Sequence, residues 1–458
     1  MYNPYNYKFY FPTYARRDSG SHWIGENWPF NAELAESRHN TFFNTYAFSP
    51  TDTGYVEDNA KHINYNVVNK KPVTNYYYYV NLDAFRLGKL DFFASAYKDK
   101  DNYMKFKLPV AVRRDLDAGI CKIVFDNSME GFQDKAFLWE IFYEKTGLNP
   151  LQCVFITGDY SLDTSKNIPT VYRNSWEKYI SLELYKTQMN TKKLDHMSCA
   201  IHFDESVRSI TTRTERPFYA LALNRLMRVH RIALVKTIDD MKLGNKINYS
   251  FGMVTHHDSS SERNLNKKLY EEKMWHTAKI FNMDNKELHK WAKGHGEKNI
   301  AEEPKLNLHI NQANNYHDII FSAYRRSYFS LVSETNCTEP TLFQSEKAFK
   351  PILNLQPFVF LGERGSIQAM RDLGYNVFDD YINHSYDAVE DPADRLQVLM
   401  EEVKRLCNIS KTDWNDMLLA MLPKLITNYS HLQTAFYRHN ELHTPLYKGV
   451  NLQFPHQH

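Results

Sequence analysis

The 458-residue chain contains no apolar run approaching the roughly 18 residues that a helix needs to span a bilayer. Its formal net charge is only +2, which is not the footprint of a strongly electrostatic DNA binder, although a local basic groove is compatible with it. Cysteine is scarce. Cys121, Cys153, Cys199, Cys337 and Cys407 are scattered and odd in number, and no pair has metal-ligand spacing, so reduced thiols in a cytosolic protein are expected. Met1 to Tyr14 is rich in Tyr, Asn and Phe and carries Pro4 and Pro12, and it has the character of neither a signal peptide nor an amphipathic transit sequence. The protein is therefore expected to act in the cytoplasm where it is made.

Several motifs are missing too. No G-x-S-x-G, Walker loop or G-x-G-x-x-G occurs. His439 and His443 stand four residues apart, but Asn-Glu-Leu lies between them, so the metalloprotease pattern His-Glu-x-x-His is absent. His256-His257-Asp258 has no partner at a known spacing and reads as a loop. No metal is expected.

What remains is the pattern of a two-domain α/β protein. The length exceeds one ordinary core. At 43% hydrophobic and 24% charged residues the composition is that of a soluble globular protein. Aromatic residues reach 14%, with 31 Tyr; some are expected on surfaces that bind rings or sugars and many in the core. Residues 1 to about 105 lack long periodicity, with Trp23, Trp28, Phe42 and Phe43 as candidate core anchors and Tyr76 to Val80 as a candidate strand. Arg16-Arg17 beside Tyr7, Tyr10, Phe11 and Tyr14 forms a basic, aromatic-interleaved arm, suited to stacking on bases or to packing on the domain surface. Beyond Leu108, Ile120 to Phe125 reads as a strand, Phe132 to Lys145 as a helix closed by Gly147, and Cys153 to Ile156 as the next strand. Met197 to Phe203 reads as a further strand. A polar stretch from Asp204 to Arg216 places the boundary between a first domain, 1–212, and a second, 213–458. Phe218 to Leu223 then opens the second domain and feeds Asn224-Arg225-Leu226-Met227-Arg228-Val229-His230-Arg231. Three arginines at a strand-to-helix junction oppose the helix macrodipole, which favours an anionic partner. Asn248 to Val254 reads as a strand, Ser259 to Glu303 as a polar insertion with broken helices, and Asp391 to Leu406 and Asp413 to His439 as closing helices.

The most informative stretch runs from Ser330 to Gly362. Tyr328 to Val332 is a β-rich run ending in a polar turn with Glu334, Ser345 to Lys350 begins a helix, and Pro357 to Leu361 is a second buried-type strand. Strand, loop, helix and strand make a βαβ unit, hence a parallel sheet, whose ligands sit outside the carboxyl ends of the strands. Ser345 is a good N-cap, and the helix behind it offers free N–H groups and a positive dipole end to an anion. Lys347 and Lys350 add charge there, while Glu334 and Glu346 are acceptors of the kind that bind ribose hydroxyls. A capped, solvated helix with ordinary surface charges would show the same residues.

From Ser330 to about Arg405 the chain resembles the donor-binding half of fucosyltransferase-like glycosyltransferases of the two-domain GT-B fold, closest to a type associated with phage and other viral genomes. The residues that carry the resemblance are Ser333-Glu334, Ser345-Glu346-Lys347, Lys350-Pro351, Phe360-Leu361-Gly362, Leu373-Gly374-Tyr375, Phe378-Asp379 and Ser385-Tyr386-Asp387, with the Asn224 to Arg231 segment upstream. The resemblance implies two Rossmann-like domains facing across a cleft, with a C-terminal helix crossing back to the first. It implies a nucleoside-diphosphate sugar as donor, probed first as UDP- or GDP-linked, and no further cofactor. It places Glu346 on the donor ribose and Lys347 on the diphosphate, with Arg225, Arg228 and Arg231 as unranked candidates for the diphosphate arginine. Asp115-Leu116-Asp117 is an Asp-x-Asp, which holds a metal in the other main glycosyltransferase fold, but here it precedes a strand in the first domain and reads as surface.

The acceptor is not specified by these residues. A hydroxymethylated base in phage DNA, a surface glycan or lipopolysaccharide, and a non-catalytic role in binding nucleotide-sugar or nucleic acid all remain open, and the Lys/Asn/Tyr-rich composition is compatible with a phage origin. The family's base is a Glu of the first domain, which directs attention to Asp126 and Glu130, just after the Ile120 to Phe125 strand. Either residue is equally a helix N-terminal charge. Alanine at one of the two positions is expected to abolish turnover in a folded protein, and unchanged turnover in both variants would remove them.

Overall fold

In the computed structural model of the chain, the described residues are 110–127, 147–160, 199–224, 227–252, 263–296, 321–338 and 341–441, with short segments at 8–10, 66–68, 76–81 and 170–172 and single residues at 177, 180 and 298. The helix expected over Phe132 to Lys145, the anchors Trp23, Trp28, Phe42 and Phe43, and the pair Arg16-Arg17 lie outside them. The chain divides into two compact units, Met1–Leu182 with Ala435–His458, and Glu183–Thr434.

The first unit holds β1 (Lys8–Tyr10), β2 (Asn66–Val68), β3 (Tyr76–Asn81), α1 (Val110–Asp117), β4 (Cys121–Asn127), β5 (Cys153–Thr157) and β6 (Thr170–Tyr172). Its strands form a parallel sheet in the order β2-β1-β3-β4-β5-β6. β3, β4 and β5 lie on the runs that β-propensity picked out. β1 and β2 are three residues each, too short to carry a periodic signal.

The second unit begins, among the described residues, with α2 (Cys199–Thr211), followed by β7 (Phe218–Ala222), α3 (Val229–Asp240), β8 (Ile247–Tyr249), α4 (Arg263–Ile280), α5 (Asn285–His295), α6 (Phe321–Arg325), β9 (Ser327–Ser333), α7 (Glu346–Leu353), β10 (Phe358–Leu361), α8 (Ser366–Asp372), α9 (Pro392–Leu406) and α10 (Lys411–Glu441), whose residues from Ala435 on are assigned to the first unit. Its parallel sheet has the order β10-β9-β7-β8. Two parallel-sheet α/β units are thus present, as the sequence pattern required.

One local expectation is overturned. Met197 to Phe203 does not form a strand, because Cys199 onward belongs to α2. His202, Ser206 and Ile210 are the buried positions, a spacing of four that puts them on one helix face. The apolar start is too short to separate the two periodicities, and only the longer window decides. The region 259–303, expected as broken helices, contributes the well-formed α4 and α5.

β9 is the centre of the second unit, and all seven of its residues are buried. Its serines are tolerated because each has a partner. Ser330 donates to Gln356 Oε1. The Ser327 carbonyl accepts from Arg216 Nη1 (2.7 Å) and Gln356 Nε2 (2.6 Å). Burial pushes the Arg216 guanidinium down to about 10. Trp414 of α10 stacks on Tyr328 and Phe329, each at 5.5 Å between ring centroids, and its indole donates to the Leu406 carbonyl at 2.8 Å. Trp414→Ala is expected to destabilise the protein by about 3–5 kcal/mol, read from chemical denaturation. A loss under about 1 kcal/mol, the level of an exposed contact, would show that Trp414 is not a keystone of this core.

Candidate functional site

The chain runs from β7 to β8 on one side of β7 and returns with β9 on the other. The carboxyl ends of β7 and β9 therefore flank a topological switch point, where the loops after the two strands diverge and leave a crevice. Asn224, Arg228, Glu334 and the N-terminus of α7 belong to this edge.

Glu334 follows β9 and has no exposed surface. Its N–H continues the ladder to the Leu361 carbonyl at 2.9 Å. Its Oε2 accepts from Thr335 N (3.0 Å), Ser345 N (3.4 Å) and Ser345 Oγ (2.5 Å). Ser345 is the N-cap of α7, as its position before the helical run predicts, and its Oγ accepts from Lys347 N at 3.3 Å. Gly362 permits the close approach of β10. A Cβ there would meet Ser366 Oγ at 2.6 Å and Glu334 Cβ at 3.4 Å.

The two lysines of α7 differ in use. Lys350 is buried and contributes positive potential at Glu346. The Lys347 side chain keeps 25% of its exposure, and its Nζ reaches Glu346 Oε1 (2.8 Å), Ser345 Oγ (3.2 Å) and Thr335 Oγ1 (3.4 Å). It is the lysine with a route to a ligand. The two carboxyls are driven in opposite directions. Burial pushes Glu334 up, and Lys347 and Ser345 only partly offset it. Burial also acts against the Glu346 anion, but Lys347 and Lys350 outweigh it and hold that carboxyl at about 2.

The α3 start separates the arginines. Arg225 lies outside the described residues. Arg228, at the N-cap position in extended backbone, donates from Nη1 to the Thr335 carbonyl at 2.7 Å. Arg231 is buried and bonds the end of β9, from Nη2 to the Ser333 and Glu334 carbonyls (3.2 Å each) and from Nε to Ser333 Oγ (3.3 Å). Arg231 is therefore a clamp on the strand, while Arg228 holds the loop that carries Thr335. His230 Nε2 stands 3.0 Å from the Glu334 carbonyl. A carbonyl only accepts, so Nε2 carries the proton. Burial, and then Arg231 and Arg228, depress the imidazole well below its usual range and keep it neutral.

Lys273 joins these cations from α4. It donates to the Met227 carbonyl at 2.5 Å, and burial, Arg228 and Arg231 all push its pKa down. Sequence reasoning missed it, because nothing in the polar α4 segment distinguishes one lysine from its neighbours. Asp126 pairs with Ile156 and with Asn81, one residue before the end of β4, and Glu130 lies outside the described residues. Asp115, read from sequence as surface, is buried near the end of α1 with Arg114 at 3.7 Å, whereas Asp117 is exposed. The difference is the helical face each occupies. Among the described residues no cluster of three or more His, Cys, Asp or Glu is placed to hold a metal ion, and no helix is long and apolar enough to cross a membrane.

No protein-family model matches the chain, and no curated protein matches it. Among solved structures, the α,α-trehalose-phosphate synthase (UDP-forming) from Burkholderia vietnamiensis is similar at a TM-score of 0.35 and 8% identity, over 89% of this chain and 81% of that one. The UDP-forming trehalose-phosphate synthase from Burkholderia xenovorans gives 0.33 and 10%, over 79% and 84%. The N-terminal domain of the Candida albicans trehalose-6-phosphate phosphatase gives 0.33 and 10%, over 96% and 99%. Likenesses this distant assign neither fold family nor activity, and the functional reading rests on the site.

The Glu346 shift has a sign. Its folded-state value, about 2, lies below the ordinary 4.5. The stability it contributes is therefore complete above pH 4.5 and is lost as pH falls from 4.5 towards 2. Glu346→Gln is expected to lower stability at neutral pH and to flatten the denaturation profile across that window. A variant whose profile keeps the wild-type slope would show that Glu346 is not the ion-paired carboxylate described.

Proposed function

We propose that the chain is a glycosyltransferase of the GT-B type that moves a sugar from a nucleoside-diphosphate donor to an acceptor hydroxyl. The observation that carries this reading is the Ser345-capped N-terminus of α7, placed at the switch point with Lys347 beside it and Arg228 on the adjoining Thr335 loop. A helix dipole with the cations Lys347 and Arg228 beside its start suits a diphosphate. In the reaction the bond from the sugar to the diphosphate breaks and negative charge grows on the leaving group. Lys347, Arg228 and the helix N-terminus stabilise that charge. Lys347 donates to Glu346; on donor binding Lys347 turns to phosphate and Glu346 is released towards the ribose. Buried Lys350 and Arg231, with half-buried Lys273, sustain the positive potential, and Glu334 fixes the cap through Ser345.

The acceptor hydroxyl we propose is that of a hydroxymethylated base in DNA, within a phage-encoded modification system. Trp275 on α4 is half exposed, with Lys279 5.1 Å from its ring centroid, and such a pair suits a stacked base beside its phosphate. Reaching a base in duplex DNA would require it to be extruded from the stack. Asp126 and Glu130 remain the candidates to take the acceptor's proton.

A panel of UDP-, GDP- and other nucleotide-sugars, each with and without hydroxymethylated duplex DNA, tests donor and acceptor together by mass spectrometry. A mass gain on the DNA is expected. Donor turnover without a labelled strand would move the acceptor to a glycan, and a chain that binds no donor would be no glycosyltransferase. With the donor that turns over, Lys347→Ala is expected to cut turnover about 10²–10³-fold while the protein stays folded. Full activity in that variant would overturn the donor site.

A further inference from the structure

The switch point contains buried polar groups that the protein leaves without partners. Asn224 ends the segment after β7 and is fully buried, and neither its side-chain oxygen nor its nitrogen has a hydrogen-bond partner. Its backbone is fixed, with the N–H donating to Ser250 Oγ at 2.9 Å and the carbonyl accepting from Gly252 N at 2.9 Å. On the adjacent strand, Glu334 spends Oε2 on Thr335 and Ser345, but its Oε1 is also buried without a partner. Arg228 Nε, between the two in sequence and bonded through Nη1 to the Thr335 loop, is a third such atom. Leu221 pairs with Ser330, so Asn224 and Ser333 each stand three residues beyond that pair, and Glu334 comes next. The three groups therefore gather at one edge of the sheet, around the crevice between β7 and β9.

A buried amide with both ends unmet is destabilising. Such groups in a native structure call for an explanation, and a ligand that satisfies them is one. The set defines the ligand's chemistry. Glu334 Oε1 and Asn224 Oδ1 need donors, whereas Asn224 Nδ2 and Arg228 Nε need acceptors. Phosphate oxygens supply acceptors only, and a carboxylate repels them. Hydroxyl groups supply both in one atom. We infer that Asn224, with Glu334, forms a subsite for the neutral, hydroxyl-bearing part of the donor, its ribose or its sugar ring, next to the diphosphate position. This rests on the donor site proposed above and adds a specificity residue to it. Both side chains are shielded from solvent. The subsite thus discriminates by hydrogen bonding, and a ligand lacking the hydroxyls leaves buried groups unpaired.

Two variants of the full chain test the inference. Asn224→Leu replaces the amide with an apolar group of similar size, so its Tm without ligand is expected to equal or exceed the wild type. A structural amide would instead give a clear fall in Tm, which would overturn the inference. Asn224→Ala is expected to bind UDP, GDP or their sugar conjugates at least about 10-fold more weakly, the effect of one lost hydrogen bond to a buried polar group. Pyrophosphate binding should stay within about twofold, because the diphosphate contacts remain. Titration calorimetry reads both. Weakening already with UDP or GDP assigns the subsite to the ribose, and weakening only with the conjugates assigns it to the sugar. Wild-type affinity for all of them in Asn224→Ala would overturn the inference and leave the donor site standing. A wild-type protein that binds none of these probes, pyrophosphate included, would overturn the donor site and this subsite with it.

Discussion

A carboxylate with no exposed surface at the end of β9 is the constraint on which the edge of the second unit depends. Glu334 cannot remain there without donors, and what surrounds it reads as their provision. Thr335 N and both donors of Ser345 converge on one oxygen, and that convergence fixes where α7 starts. The start of α7 then sets the direction of its N–H groups and the position of Lys347. Gly362 follows from the same demand, because a side chain there would strike Ser366 and press on the Glu334 Cβ. A single buried acid thus ties two strands, a loop and a helix terminus together.

Charge around that acid is unequal by design of the fold. Arg228, Arg231, Lys273, Lys347 and Lys350 stand against Glu334 and Glu346. The carboxyls respond in opposite directions because their nearest partners differ: Glu346 has an ammonium group at 2.8 Å, whereas Glu334 is bonded mainly by a hydroxyl and by backbone N–H groups. The excess of positive charge, held close to a helix N-terminus, suits a ligand of high negative charge. The orphaned atoms of Asn224 and Glu334 suit the uncharged remainder of the same ligand.

The arginine segment shows how one stretch of sequence divides its labour. Arg228 and Arg231 are three residues apart and neighbour the same helix start, yet one grips a loop carbonyl and the other the last carbonyls of a strand. His230 completes the grip from between them, and it is kept neutral by burial first and then by the two guanidiniums beside it. The positive start of α3, unfavourable against its own dipole, is stabilised by the carbonyl oxygens of Ser333, Glu334 and Thr335, at and just beyond the end of β9.

Local grammar determined a good deal. The capping position of Ser345, the alternation of strand and helix that demands parallel sheets, and the placement of Lys347 and Glu346 at a helix start depend on residues within a few positions of each other, so the sequence states them directly. Longer-range outcomes were not legible. The apolar start of α2 fits either periodicity until the buried spacing of four from His202 to Ile210 separates them. Asp115 and Asp117 look alike in sequence and differ only in the helix face they occupy. Which arginine faces the loop and which the strand depends on where β9 ends, more than a hundred residues later. Lys273 arrives from a helix that carries no motif. The unmet amide of Asn224 is the extreme case, because a missing partner is a property of every neighbour at once. The sequence by itself determined the elements and the chemistry of the α7 terminus, since both are written in short-range spacing. Only the tertiary structure decided which charges are buried, which are paired and which buried polar atoms are left without a partner, because burial and pairing are set by parts of the chain that meet only on folding.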